Sequence, residues 1–332
     1  MNSTLFQWRS LKTRVTLFTL TIFVVSLWAL SFFASRILRE DMQSVLGEQQ
    51  FSTVSAMAHE INDRISTCMQ SLETIAKEVT PAMLGTSAAL QTRLEQRPLL
   101  QLLFNAGIFA TGTDGTAIAS LPTSVQRIGV NYLDRDFIAA ALEGKASIGR
   151  PVIGRQLKSP IVVMAVPIRD AQGKVIGVLS GVTDLAKPNF FDQITQGRYG
   201  KTGGYLLIAL QHKLIVTASD KSYILQPLPA PGRNAMLDRF MQGYEGFGVA
   251  VSSRGVLELS AAKGIPAAGW FLVALLPARE AFAPIDAMLQ HLRLNALWVT
   301  LLAGVLTWWL ITWMLRLQFA PMLTASGLPQ KF

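Results

Sequence analysis

Hydrophobic residues fall along this chain in three regimes. They run unbroken near each end, recur at helical spacing early in the interior, and come in short bursts across the rest. Val15 to Ser35 and Leu294 to Leu315 hold 21 and 22 residues without a charge. A helix rises 1.5 Å per residue, so ~20 such residues cross a ~30 Å hydrocarbon layer. The first run exceeds the ~7–15 residue apolar core of a cleaved leader, and bulky Trp28, Phe32 and Phe33 stand where cleavage needs small residues. The pattern predicts two transmembrane helices, 15–35 and 294–315, framing a polar interior.

Inside that frame, Val54, Ala58, Ile61, Ile65, Cys68, Leu72, Ile75 and Val79 alternate at spacings of 4 and 3. This is a heptad period, with Glu60, Asp63, Arg64, Glu73 and Lys77 between the apolar positions. It predicts a stalk helix over about 40–80, ended by Thr80-Pro81. The stripe either packs on its own domain or also serves as a homodimer seam. Beyond Pro98 the rhythm changes. Phe104 to Ala110 and Ala117 to Leu121 flank an Asp114-Gly115 turn, a hairpin signal. Asp136 to Leu142 predicts a short helix. Ile161 to Ile168 and Val175 to Val182 form a second hairpin rich in β-branched residues. Tyr205 to Leu210, Leu214 to Ala218, Gly248 to Ser252, Val256 to Ala261 and Trp270 to Leu276 repeat the theme. The prediction is an α+β fold with two successive antiparallel sheets preceded by one long helix.

The net charge of +9 suggests nucleic acid until its location is checked. All 21 acidic residues and 22 of the 30 Lys and Arg lie between Glu40 and Asp286, leaving that span near neutrality. The other cations (Arg9, Lys12, Arg14, Arg36, Arg39, Arg293, Arg316 and Lys331) flank the hydrophobic runs. A nucleic-acid groove would concentrate charge in the folded domain. Arg9, Lys12 and Arg14 before the first run, with Arg316 and Lys331 after the second, place both termini in the cytoplasm and 39–291 outside. In a bacterium that is a two-pass inner-membrane protein with a periplasmic domain. The single Cys68 forms no intramolecular disulfide, so this domain rests on its core.

Catalytic and metal motifs do not hold. Gly200-Lys201-Thr202 lacks the glycine a phosphate loop needs, since Thr195 stands there. His59-Glu60 begins like a zinc-protease helix but continues to Asp63 rather than His. Three histidines and no nucleophile elbow leave no metal, cofactor or catalytic step to expect.

Several segments in order carry a resemblance. These are Asp134-Arg135-Asp136-Phe137 with Ala140, Ala141, Leu142 and Gly144; Val166-Pro167-Ile168-Arg169-Asp170 with Gly173 to Val178; and Gly200-Lys201-Thr202-Gly203-Gly204-Tyr205. The chain resembles the double Cache sensor domains of bacterial transmembrane receptors over roughly Arg39 to Asp286. The stretches Pro229 to Gly232, Gly243 to Gly246 and Pro266 to Trp270 look like the version on membrane-bound diguanylate cyclases with a GGDEF output domain. The resemblance implies two stacked PAS-like lobes along the stalk, a distal one over about 99–187 and a proximal one over about 200–286. It implies a small-molecule ligand, an organic anion, amine or amino acid, in the distal lobe near Tyr132, Arg135, Asp136, Phe137, Arg150 and Asp184. Amino-acid-sensing relatives place Trp and Tyr two and three residues after the Arg. Here Phe137 and Ile138 stand there, while Asp184 matches the family's late Asp.

The expected function is a membrane-anchored sensor that passes a conformational signal inward. Residues 316–332 are too short for an output domain and carry no motif of one. That leaves a separate cytoplasmic output protein, a shortened diguanylate cyclase, or a structural envelope protein without ligand.

Overall fold

The computed structural model describes residues 11–97, 99–195, 197–252 and 254–319. It divides into two compact units, one formed by 46–281 and the other by 1–45 with 282–332. Residues 1–10 of the expected N-terminal segment and 320–332 of the expected tail lie outside the described residues.

The terminal unit contains the first part of α1 (Leu11–Ala76) and α9 (Ala283–Phe319). Both helices are long and apolar enough to cross a membrane by length and composition. Phe32 (73% exposed) and Leu302 (65%) typify side chains that a water-soluble fold would bury. The Trp28 indole N–H donates to Thr300 Oγ1 at 3.3 Å, a polar contact between the two apolar stretches.

In the interior unit the heptad stripe behaves as a core element. Val54, Ala58, Ile61, Ile65, Cys68, Leu72, Ile75 and Val79 are all buried in one cluster with residues of both sheets. The stripe is therefore consumed by its own domain, and the same residues are not available as a dimer seam. Burial pushes the Cys68 thiol up to about 11, as expected of a small apolar core residue. Helix α1 stops at Ala76, short of the expected Thr80-Pro81. Thr80 instead caps α2 (Pro81–Gly85), its side chain accepting from the Met83 N–H, with Pro81 in the first turn where its missing donor costs nothing. Helices α3 (Ser87–Glu95) and α4 (Leu99–Leu103) follow.

The first sheet contains β1 (Ile108–Gly112), β2 (Ala117–Leu121), β3 (Ser147–Ile148), β4 (Val152–Ile153), β5 (Pro160–Arg169) and β6 (Val175–Asp184). Its order is β2-β1-β6-β5-β3, with β4 also on β5. The expected strand from Phe104 starts only at Ile108. Phe104 closes the turn of α4, and Gly107 at φ 84° reverses the chain with its N–H on the Phe104 carbonyl. Helix α5 (Asp136–Leu142) matches the expectation residue for residue. After α6 (Asp192–Thr195), the second sheet contains β7 (Gly204–Ala209), β8 (Leu214–Ala218), β9 (Gly246–Val251), β10 (Leu257–Ile265) and β11 (Trp270–Pro277). Its order is β8-β7-β11-β10-β9. Helix α7 (Ala235–Met241) lies between β8 and β9, and α8 (Ala278–Ala281) follows β11.

Counting β3 and β4 as one interrupted strand, the two sheets have the same strand order, all antiparallel. Strand alternation sorts their faces. Val162, Met164, Val166 and Ile168 face the cluster shared with α1, while Ile161, Val163 and Ala165 face away into a separate cluster with α5. In the second sheet Leu207, Ala209, Leu272 and Ala274 face α1, and Ile208, Phe271 and Val273 turn the other way under α7. Two glycines permit close approaches. A Cβ on Gly181 would lie 2.4 Å from the Phe104 ring, and one on Gly47 of α1 would lie 2.0 Å from the Phe247 ring.

Candidate functional site

On its face away from α1, the first sheet is covered by α5 and by the segments 127–135 and 152–157. Between sheet and cover is a narrow cavity with about 20 Å³ of room for the centre of a water molecule. That suits one water-sized group. Its apolar walls come from Phe109, Phe137, Val152, Leu157, Ile161, Val163 and Val182. Its polar groups are Arg127, Tyr132, Arg135, Arg155 and Gln156. Three cations and no carboxylate line it.

Arg127 is the most unusual of these. It is only 3% exposed and makes no ion pair among the described residues. One guanidinium nitrogen donates to the Ala106 carbonyl at 2.7 Å and the other to Ser120 Oγ at 3.3 Å. Its carbon lies 5.6 Å from the Phe109 ring centroid. Burial draws its pKa down to about 10, as expected for a cation removed from water without a counter-ion. Arg155 is anchored outward, on the Asn131 carbonyl and, at 2.7 Å, on Asp134 Oδ2, with its guanidinium 5.8 Å from the Tyr132 ring. Arg135 approaches Asp134 only to 3.8 Å. Burial raises the Tyr132 phenol, opposed by Arg127, Arg155 and Arg135, so it stays a neutral donor.

Of the residues singled out from sequence, Tyr132, Arg135 and Phe137 line this cavity, and Asp136, Arg150 and Asp184 do not. Asp136 opens α5. Its Oδ1 accepts from the Phe137 N–H at 2.8 Å and its Oδ2 from the Arg150 N–H at 2.9 Å, so these two residues pin the cover to α5. Asp184, 2% exposed at the end of β6, takes the Ser159 hydroxyl and the Ala186 N–H on Oδ1. It ties the start of β5 to the exit of β6. Arg135 and Asp184 do not pair with each other; Arg135 turns to Asp134 and Asp184 to Ser159. Arg127 was missed because nothing distinguishes it locally from the surface arginines of this chain. Its burial comes from the pairing of β1 with β2 and the chain turn at Gln126, which takes φ 55°.

The comparisons agree with this architecture. The family model for the Cache domain matches residues 34–285, and the chain belongs to that family. No curated protein sequence matches the chain. Among solved structures, the ligand-binding domain of the Pseudomonas aeruginosa amino-acid chemoreceptor PctB in complex with L-Arg is 19% identical. It has a TM-score of 0.55 over 72% of this chain and 97% of that one. The ligand-binding domain of the Pseudomonas fluorescens chemoreceptor CtaA with L-isoleucine is also 19% identical, with a TM-score of 0.56 over 76% and 99%. The sensor domain of the V. cholerae histidine kinase DctB is 16% identical, with a TM-score of 0.55 over 71% and 98%. At these identities the likeness is one of fold.

Proposed function

We propose that the chain is a membrane-anchored sensor that binds a small organic acid in the cavity of its first sheet. In this reading 15–35 and 294–315 span the inner membrane, 39–291 is periplasmic, and the two sheets form a distal and a proximal lobe along α1. The chain carries out no catalysis and signals through conformation. The observation that carries the ligand class is Arg127, a buried guanidinium without a carboxylate partner. A ligand carboxylate would supply the missing counter-charge in a bidentate pair, worth far more inside than at the surface. Arg135, Arg155 and the Tyr132 hydroxyl add donors around it.

PctB and CtaA were seen with amino acids. Here an ammonium group would find no carboxylate in the lining, because Asp184 is engaged elsewhere. That favours an acid without the amine. The cavity is too small for such a molecule as it stands, so binding requires the segment 152–157 to move outward. Such a shift in the cover is what the ligand would trade against its contacts, biasing two packings of the domain and thereby α1 and α9.

A thermal-shift screen of the full chain in neutral detergent, comparing organic acids with their 2-amino analogues, tests this. The expected result is a rise in Tm with acids. Stabilisation by amino acids alone would count against the ligand class, and no shift with either would count against the site.

A further inference from the structure

The second sheet leaves a different opening on its face away from α1. Helix α7 spans seven residues and covers only part of that face, through Met236 and Phe240. Beside it a groove of about 1460 Å³ remains, floored by Leu206, Ile208, Val273 and Leu275. Small-molecule pockets usually run ~300–1,000 Å³, so the groove has room for a ligand and its water.

Its polar wall is lopsided in charge. Arg198, Lys201, Arg233 and Arg254 stand along it, and Arg233 and Arg254 make no ion pair among the described residues. Arg254 lies over the Tyr223 ring, 4.8 Å from its centroid, while the Tyr223 hydroxyl is shut off from solvent with no hydrogen-bond partner. Two carboxylates, Asp220 and Glu258, line the groove against these four cations, and both act electrostatically on Arg254. Asp220 is engaged as the cap of the turn 221–223, accepting from the Ser222 N–H at 3.0 Å. Burial pushes the Glu258 carboxyl up, against the pull of Ser252 and Arg254. Lys221, by contrast, is already paired with Asp192 at 2.6 Å.

We propose that this groove is a second binding site, for an amphipathic organic acid whose apolar body lies on Leu206, Ile208, Val273 and Leu275 and whose acid group meets Arg233 and Arg254. An apolar floor with a cationic edge selects a molecule with one apolar end and one anionic end, as opposed to a small polar diacid. The site is independent of the first cavity, which lies on the other sheet and lacks an open apolar floor.

The test uses the full chain in neutral detergent with 3-phenylpropionate as probe, followed by saturation-transfer NMR. Saturable binding is expected, weakened at least ~10-fold in the Arg233→Gln/Arg254→Gln variant. Both side chains are exposed, so the variant's thermal unfolding should match the parent's. The single variants Arg233→Gln and Arg254→Gln carry the test should the double variant fold poorly. Lys174→Gln, an exposed turn cation on the first sheet, should bind as the parent does and so exclude a general loss of charge. Absence of saturable binding, or equal affinity in parent and variant, would overturn the proposal.

Discussion

The two sheets of the interior unit share a strand order and a common helix, yet their outer faces differ. The first is closed by α5 and the segments 127–135 and 152–157 over a cavity with room for about one water. The second, under the short α7, keeps a groove of about 1460 Å³. The difference teaches that the repeated sheet supplies a platform, and that the connections laid across it decide what can bind. The charges follow the same division. Over the first sheet a single guanidinium is sealed inside, whereas over the second the guanidinia without ion pairs stay at the edge.

The largest expected effect concerns what the two sheets have in common. Ile65 lies on the α1 stripe, fully buried in the cluster that both sheets share. Ile65→Ala should cost ~2–5 kcal/mol, and chemical unfolding should remain a single transition. Two separate transitions, with one sheet melting alone, would break the picture of two sheets held by one helix. Next comes the first cavity. Arg135→Ala should weaken ligand binding by ~2–5 kcal/mol, a loss of ~30-fold or more by titration calorimetry, with little change in ligand-free stability. If Arg135 serves structure instead, the ligand-free Tm should fall sharply.

Asp184 sharpens the distinction between site and scaffold. Asp184→Ala removes two hydrogen bonds to a buried carboxylate, from the part-buried Ser159 hydroxyl and from the Ala186 N–H, so stability should drop by ~1–3 kcal/mol. A variant of undiminished stability that no longer binds ligand would return Asp184 to the site. The smallest effect falls beside the second sheet, where Glu280 accepts from the backbone N–H groups of Lys201 and Thr202 and from the Thr202 hydroxyl. Those hydrogen bonds hold its carboxyl below the usual 4.5. With the folded value depressed, its stabilisation is present above pH 4.5 and is lost as pH falls through the folded value. Glu280→Gln should therefore make acid unfolding less steep; an unchanged acid limb would remove this contact from the account.

How much of this was legible in the sequence follows from what each feature depends on. The stripe on α1, α5 and the long hairpins announce themselves because burial imposes periods of 3.5 and 2 on many consecutive residues. The interrupted strand β3–β4 did not, since two residues on each side of Gly149, Arg150 and Pro151 are too few to show alternation. Helix α7, as long as α5, was missed because it buries only Met236 and Phe240, against three residues in α5, and its start is set by an Asn234 cap, whose side chain accepts from the Met236 and Leu237 N–H groups. At the site, Tyr132, Arg135 and Phe137 could be found because they stand in or beside the Asp134 to Phe137 segment that carries the family resemblance. Arg127 could not, because a buried cation contradicts the hydrophobic pattern and is explained only by what surrounds it in three dimensions.

The central claim is that the Arg127 guanidinium awaits a ligand carboxylate. Its most direct test is to titrate the full chain, and its Arg127→Met variant, with whichever organic acid gives the largest thermal shift. Removing a buried unpaired charge while keeping the side chain's bulk should leave the ligand-free protein about as stable as the parent, since the lost bonds to the Ala106 carbonyl and Ser120 Oγ are offset by the desolvation relieved. Binding should weaken by at least ~30-fold. A variant that binds the acid as tightly as the parent would contradict the account, and so would one whose ligand-free form unfolds far more easily.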